Sequence, residues 1–73
     1  MGDRVVVDAK ICSGNPTIRG TRTMVTTILG MVADGYTMAR IIDAHPELTT
    51  HDVSAALEYA CQVIDEEKVI PRA

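Results

Sequence analysis

Hydrophobic positions along the chain follow two regimes, separated by a loop rich in turn-forming residues. Arg4-Val5-Val6-Val7-Asp8 is a β-branched run bracketed by charges and predicts a short strand. A lone short strand needs a partner, either Thr17-Ile18-Arg19 in the same chain or its counterpart in a second subunit. From residue 24 the spacing turns helical. Met24, Val25, Ile28, Leu29, Met31 and Val32 make an apolar stripe that predicts a helix from about Met24 to Asp34, with Thr21 or Thr23 as its cap and Gly35 as its stop. Gly30 inside that helix costs ~1 kcal/mol relative to Ala, and a close approach of another helix would account for it.

Thr37 is placed to cap a second, shorter helix holding Met38, Ala39, Ile41, Ile42 and Ala44, which Pro46 stops at or before His45. Leu48 is expected to tuck inward from the turn that follows. Thr49 and Asp52 have capping-box spacing and open a third helix. There Val53, Ala56, Leu57, Ala60, Cys61 and Ile64 recur at helical intervals, the clearest period in the chain, so Cys61 is expected to be a buried small hydrophobe. Glu58, Gln62, Asp65, Glu66 and Glu67 take the other face, and the helix should end near Glu67 or Lys68. The expected fold is mainly α: a three-helix, helix-turn-helix-like domain with a short N-terminal β-strand or hairpin. It is one domain over 1–73, divided into a strand and basic Gly-rich loop arm over 1–22, three helices over 23–68 and a tail over 69–73.

The loop Gly14-Asn15-Pro16-Thr17-Ile18-Arg19-Gly20-Thr21-Arg22 joins the two regimes. Ile18 can anchor it to a core, which leaves Arg19 and Arg22 pointing outward. This run resembles the signature of domain-of-unknown-function family 433, small prokaryotic proteins that typically read Gly-Lys-Pro-Val-Ile-Arg-Gly-Thr-Arg followed by Ile-Pro-Val. Cys12, Gly14, Pro16, Ile18, Arg19, Gly20, Thr21, Arg22 and Val25 match. The likeness continues through Gly35, Ile41, Ile42, Pro46, Leu48, Thr49, Asp52, Val53, Ala55, Ala56, Leu57, Tyr59 and Ala60. Asn15 stands where a lysine is usual, Thr23-Met24 where Ile-Pro is usual, and His45 where a tyrosine is common. The resemblance implies a helix-turn-helix-like domain and an antitoxin role beside a toxin with a PIN-like nuclease fold.

Composition sharpens the picture. The chain has 73 residues and is 47% hydrophobic, yet it has no Trp, no Phe and only two tyrosines. Chains this short bury only about 60% of the surface that the unfolded form exposes, so they usually add disulfides, a metal or a partner subunit. Cys12 and Cys61 are the only cysteines, and neither has a His at ligand spacing, so no metal or cofactor is expected. A partner subunit remains, most simply in a two-fold homodimer. No apolar run approaches ~18 residues, and no membrane partner is expected; the chain is expected to be cytoplasmic.

The net charge of −3 conceals an asymmetry. Arg4, Lys10, Arg19 and Arg22 make the N-terminal arm cationic, whereas residues 34–67 hold eight acidic residues against Arg40 alone. No enzyme activity or small-molecule substrate is expected, because Cys12, His45 and His51 lack the paired partners that nucleophilic or acid–base chemistry needs. Two binding roles fit better. A helix-turn-helix would bring Thr49, Thr50 and His51 to a DNA groove, with Arg4, Lys10, Arg19 and Arg22 on phosphates. Glu58, Asp65, Glu66 and Glu67 would instead cover the cationic cleft of a nuclease. The expectation is an antitoxin-like protein that binds and neutralises a nuclease-type toxin, with DNA binding for autoregulation as a second role. The alternative is a stand-alone DNA-binding transcriptional regulator of the helix-turn-helix class. If the thin core is completed by a second copy, sedimentation at micromolar concentration will give twice the 7.9 kDa chain mass and melting will rise with concentration. A concentration-independent monomer would contradict this.

Overall fold

Residues 4–67 are described in the computed structural model of the chain; the tail over 69–73 and the far limit of the last helix at Lys68 lie outside them. Two strands, β1 (Val5–Val6) and β2 (Thr17–Ile18), precede three helices, α1 (Val25–Ala33), α2 (Met38–Ala44) and α3 (Thr50–Glu67). The protein is mainly α, as its periodicity predicts. The strand finds its partner within the chain: β1 pairs antiparallel with β2, Val5 opposite Ile18 and Val6 opposite Thr17.

The loop between the strands is held by its own polar groups. Cys12 and Ser13 both take left-handed backbone angles, φ 50° and 58°, in a short 3₁₀ turn over Cys12–Gly14. Such angles are costly for residues with a Cβ and persist where surroundings fix them. The Asn15 side-chain amide donates to the Cys12 carbonyl at 2.8 Å and its backbone amide to the same oxygen at 3.1 Å. A second turn follows β2. The Thr21 amide donates to the Ile18 carbonyl at 2.9 Å, and Gly20 supplies φ +81° at the third position, where a type II turn demands it. That turn aims Arg19 outward and buries Ile18.

Neither Thr21 nor Thr23 caps α1. The cap position falls to Met24, without a side-chain bond, because both hydroxyls are engaged elsewhere. Thr21 donates to the Ile18 carbonyl at 2.9 Å, and Thr23 donates to Glu47 Oε2 at 2.6 Å. The sheet replaces the cap: the Val25 amide donates to the Pro16 carbonyl at 2.9 Å. An otherwise orphaned helical donor is thereby satisfied. At the other end, the Tyr36 amide reaches the Met31 carbonyl and the Gly35 amide the Val32 carbonyl, both at 3.0 Å, with Gly35 at φ +90°. This is a Schellman ending. Thr37 caps α2 by accepting from the Arg40 amide at 3.2 Å. Thr49 and Asp52 form the predicted capping box, the Thr49 amide donating to Asp52 Oδ2 at 3.0 Å and the Asp52 amide to Thr49 Oγ1 at 3.2 Å.

The core is a single cluster of Ile18, Val25, Ile28, Ile41, Leu48, Val53 and Ala56. It draws on β2, all three helices and the α2–α3 turn. Leu48 is buried as expected. The later part of the α3 stripe is not: Leu57 is half-buried, Ile64 is 61% exposed, and Cys61 is exposed rather than buried. Length explains the difference. At 1.5 Å per residue the 18 residues of α3 overrun the 9 of α1 and 7 of α2, so its second half outruns the elements that could cover it. Gly30 faces open space, with nothing within 4 Å of where a Cβ would stand, so it serves no close approach among the described residues. Burial therefore divides residues that share one period: Ile41→Ala should cost about 2–5 kcal/mol in chemical denaturation. Ile64→Ala should stay within about 0.5 kcal/mol.

Candidate functional site

Two surfaces converge on α3, one at its start and one along its second half. At the start, α2, the turn His45-Pro46-Glu47-Leu48 and α3 make the helix-turn-helix unit. The Leu48 amide closes that turn on the His45 carbonyl at 2.9 Å. Thr50, His51 and Ser54 are exposed there, while the Thr49 hydroxyl is committed to the capping box.

Of the cationic arm, Arg4 is brought to this end of α3. Its Nη1 donates to Asp52 Oδ1 at 3.0 Å, so its charge is answered within the fold. Arg19 is exposed and its amide donates to the Arg4 carbonyl at 2.7 Å, which ties the loop back to β1. Lys10 and Arg22 are exposed as well; the Lys10 backbone amide donates to Asp8 Oδ1 at 2.9 Å, and the Arg22 carbonyl accepts from the Cys12 thiol at 3.5 Å. Arg22 lines a shallow cleft with Ile11, Gly20 and Thr21. The arm is thus a braced loop, one of whose charges is spent on α3.

Electrostatics reinforce the brace. Partial burial pushes the Asp52 carboxyl up, but the Thr49 amide, the Arg4 guanidinium and the Thr49 hydroxyl together hold it below its ordinary value. Glu47 is also lowered, chiefly by the Thr23 hydroxyl, then by its own amide and by His45, whose Nδ1 lies 3.4 Å from its Oε2. Thr23 and Glu47 thereby join the entry of α1 to the α2–α3 turn.

The second surface lies where α3 overruns the core. Glu58, Asp65 and Glu66 are exposed; Glu67 closes α3, and its side chain lies outside the described residues. Between α3 and α1 an open groove of about 250 Å³ is lined by Pro16, Leu29, Tyr59, Ala60, Val63 and Ile64, among others. Leu57 and Cys61, with Glu58 and Gln62 beside them, extend this surface around the helix. The helical period marks Ala60 and Ile64, but Tyr59, Val63 and Pro16 fall off the stripe. Only the packing of the loop against α1 and α3 brings them in. Among the described residues, no three His, Cys, Asp or Glu side chains are grouped to hold a metal ion, and no described helix is long and apolar enough to cross a membrane.

The family model described as "Protein of unknown function (DUF433)" matches residues 5–60. The chain belongs to this family. A crystal structure of a DUF433 member protein from Anabaena variabilis ATCC 29413 is similar, with a TM-score of 0.80 and 28% sequence identity. The likeness covers 89% of this chain and 64% of that one, so this chain spans less than two thirds of that DUF433 member's length. No curated protein matches the chain. The DUF433 match takes in the arm from Val5 onward, the capping box and the helix-turn-helix unit, and stops within α3 at Ala60, before Val63 and Ile64.

Both lowered carboxyls contribute stability that is fully present above the ordinary carboxylate pKa of about 4 and is lost as pH falls through the lower folded values. The melting temperature should therefore hold at neutral pH and drop on acidification below about 4. Asp52→Ala should cost about 1 kcal/mol at neutral pH through loss of the box and should shrink the acid-induced drop. An unchanged acid profile in that variant would show that Asp52 is not the titrating brace.

Proposed function

We propose that this protein is an antitoxin-type binding module that neutralises a basic, nuclease-type toxin by covering its cationic surface with α3, rather than by any catalysis of its own. The observation that carries this reading is the second half of α3. There Glu58, Asp65 and Glu66 are exposed together with the apolar Cys61 and Ile64. Acidic side chains around an apolar strip suit a partner that is cationic and partly hydrophobic at its contact surface, since complementary charge steers the encounter and apolar burial retains it. The homodimer expected from the thin core belongs to the same reading.

DNA binding is the second reading, favoured by the exposed Thr50, His51 and Ser54 at the start of α3. The Arg4–Asp52 pair works against it, because one expected phosphate contact is held by a carboxylate.

Co-expression of the tagged protein with a PIN-like nuclease encoded beside its gene tests the antitoxin reading. The two should co-purify and nuclease activity should be suppressed. Replacing Glu58, Asp65 and Glu66 together by Lys should weaken binding by about tenfold or more and remove most of its salt dependence. A nuclease that ignores the protein, or a complex indifferent to all three changes, would reject it.

A further inference from the structure

Among the described residues, β1 uses only one of its two edges. The Arg19 amide donates to the Arg4 carbonyl at 2.7 Å, whereas the Ile18 amide turns the other way, to the Thr23 carbonyl at 3.0 Å. In this register Val6 and Thr17 exchange the ladder bonds, and Val5 stands opposite Ile18 without bonding to it. The N–H and C=O of Val5 therefore point away from β2, and no described residue bonds to them. Extended backbone carries the same direction to Val7, two residues on. Val7 is 61% exposed, and its backbone likewise makes no bond among the described residues. An open edge of this kind accepts another extended strand.

The residues along the edge decide which strand. Arg4-Val5-Val6-Val7-Asp8 carries a cation at one end, an anion at the other and β-branched residues between. Paired antiparallel with a second copy about a two-fold axis at Val6, it sets Arg4 against Asp8 and Val5 against Val7, in both directions. Val5 and Val7 are the residues whose polar groups face outward, so each such pair exchanges both of its backbone bonds. Hydrogen bonding and charge thus select the same register. An axis at Val7 would set Arg4 against Lys10, and in-register parallel pairing would set like charges together. Asp8 is exposed, and Arg4 keeps half of its side chain in solvent beside Asp52, with donors enough for a second carboxylate. Packing agrees. Val5 is partly buried against the core, and Val7 of a second copy would lie beside it on the same face, which covers a valine that is otherwise exposed.

We infer that the open edge of β1 is a self-association surface: β1 of two copies pairs antiparallel about a two-fold axis at Val6 and joins the two hairpins into one continuous sheet. This rests on the homodimer included in the reading above, names the face that forms it, and leaves α3 for the nuclease.

The test uses the full chain. Sedimentation equilibrium should show a dimer whose dissociation constant rises about tenfold or more in Val7→Pro, which removes an outward amide, and in Asp8→Lys, which sets like charges together. The Asp8→Lys effect should shrink at high salt. Helical circular dichroism should be unchanged in both. Val6→Cys, in a Cys12→Ser, Cys61→Ala background, reads the register independently of either variant. Opposed Cα atoms of a non-bonded pair stand about 4.5 Å apart, within disulfide reach, so oxidation should link two copies. Val32→Cys, exposed on α1, should not link. Cross-linking no greater through Val6→Cys than through Val32→Cys overturns the inference, as does a dimer indifferent to both Val7→Pro and Asp8→Lys. The readings fail separately. A dimer that survives those changes keeps the homodimer and removes this interface, whereas a monomeric wild type removes both. The antitoxin role stands or falls on the nuclease, which these measurements do not contain.

Discussion

Asp52 makes the contact on which the remaining architecture leans. One carboxylate oxygen takes the Arg4 guanidinium, 48 residues away in sequence, and the other takes the Thr49 amide that starts α3. A single side chain thus starts the longest helix and fastens the N-terminal strand to it. β1 is only two residues long, too short to hold its place by ladder bonds alone. Its pairing with β2 on one side and the Arg4–Asp52 tie on the other fix it. Once β1 is fixed, β2 has a neighbour, and the Pro16 carbonyl can serve the first amide of α1. The Thr23–Glu47 bond repeats the device between α1 and the helix-turn-helix turn.

The remaining constraint is the size of the core. With β-branched and aliphatic residues alone, seven side chains are gathered into one cluster, and those that α3 contributes, Val53 and Ala56, come from its first two turns. A Thr is drawn in with them: the Thr17 hydroxyl is fully buried and has no hydrogen-bond partner among the described residues. Such a group costs free energy. It is a measure of how tightly β2 is enclosed by β1 on one edge and Met24 on the other.

Much of this was readable in the residues. Thr37, Thr49 with Asp52, Gly35 and Pro46 mark helix ends through local chemistry, and each acts where the sequence places it. The α1 cap is not legible in the residues: Thr21 and Thr23 are both suitable, and only the tertiary positions of Ile18 and Glu47 decide where their hydroxyls go. Cys61 departs from its expected burial for another reason. Helical period reports which face is apolar, but not whether anything lies opposite it, and that depends on the relative lengths of α1, α2 and α3. The candidate site shows the same limit: exposed acids on α3 follow from the pattern, whereas Arg4 as the mate of Asp52 and Pro16 as a groove wall are long-range facts.

The division of α3 has an evolutionary consequence. Its first two turns are bound to the fold through Asp52, Val53 and Ala56, while Val63, Ile64, Asp65 and Glu66 touch little that folding requires. Substitutions in the second half can therefore accumulate at almost no cost in stability. Were α3 the recognition element proposed above, paralogues could share one scaffold and differ in partner through a handful of residues on a single helical segment.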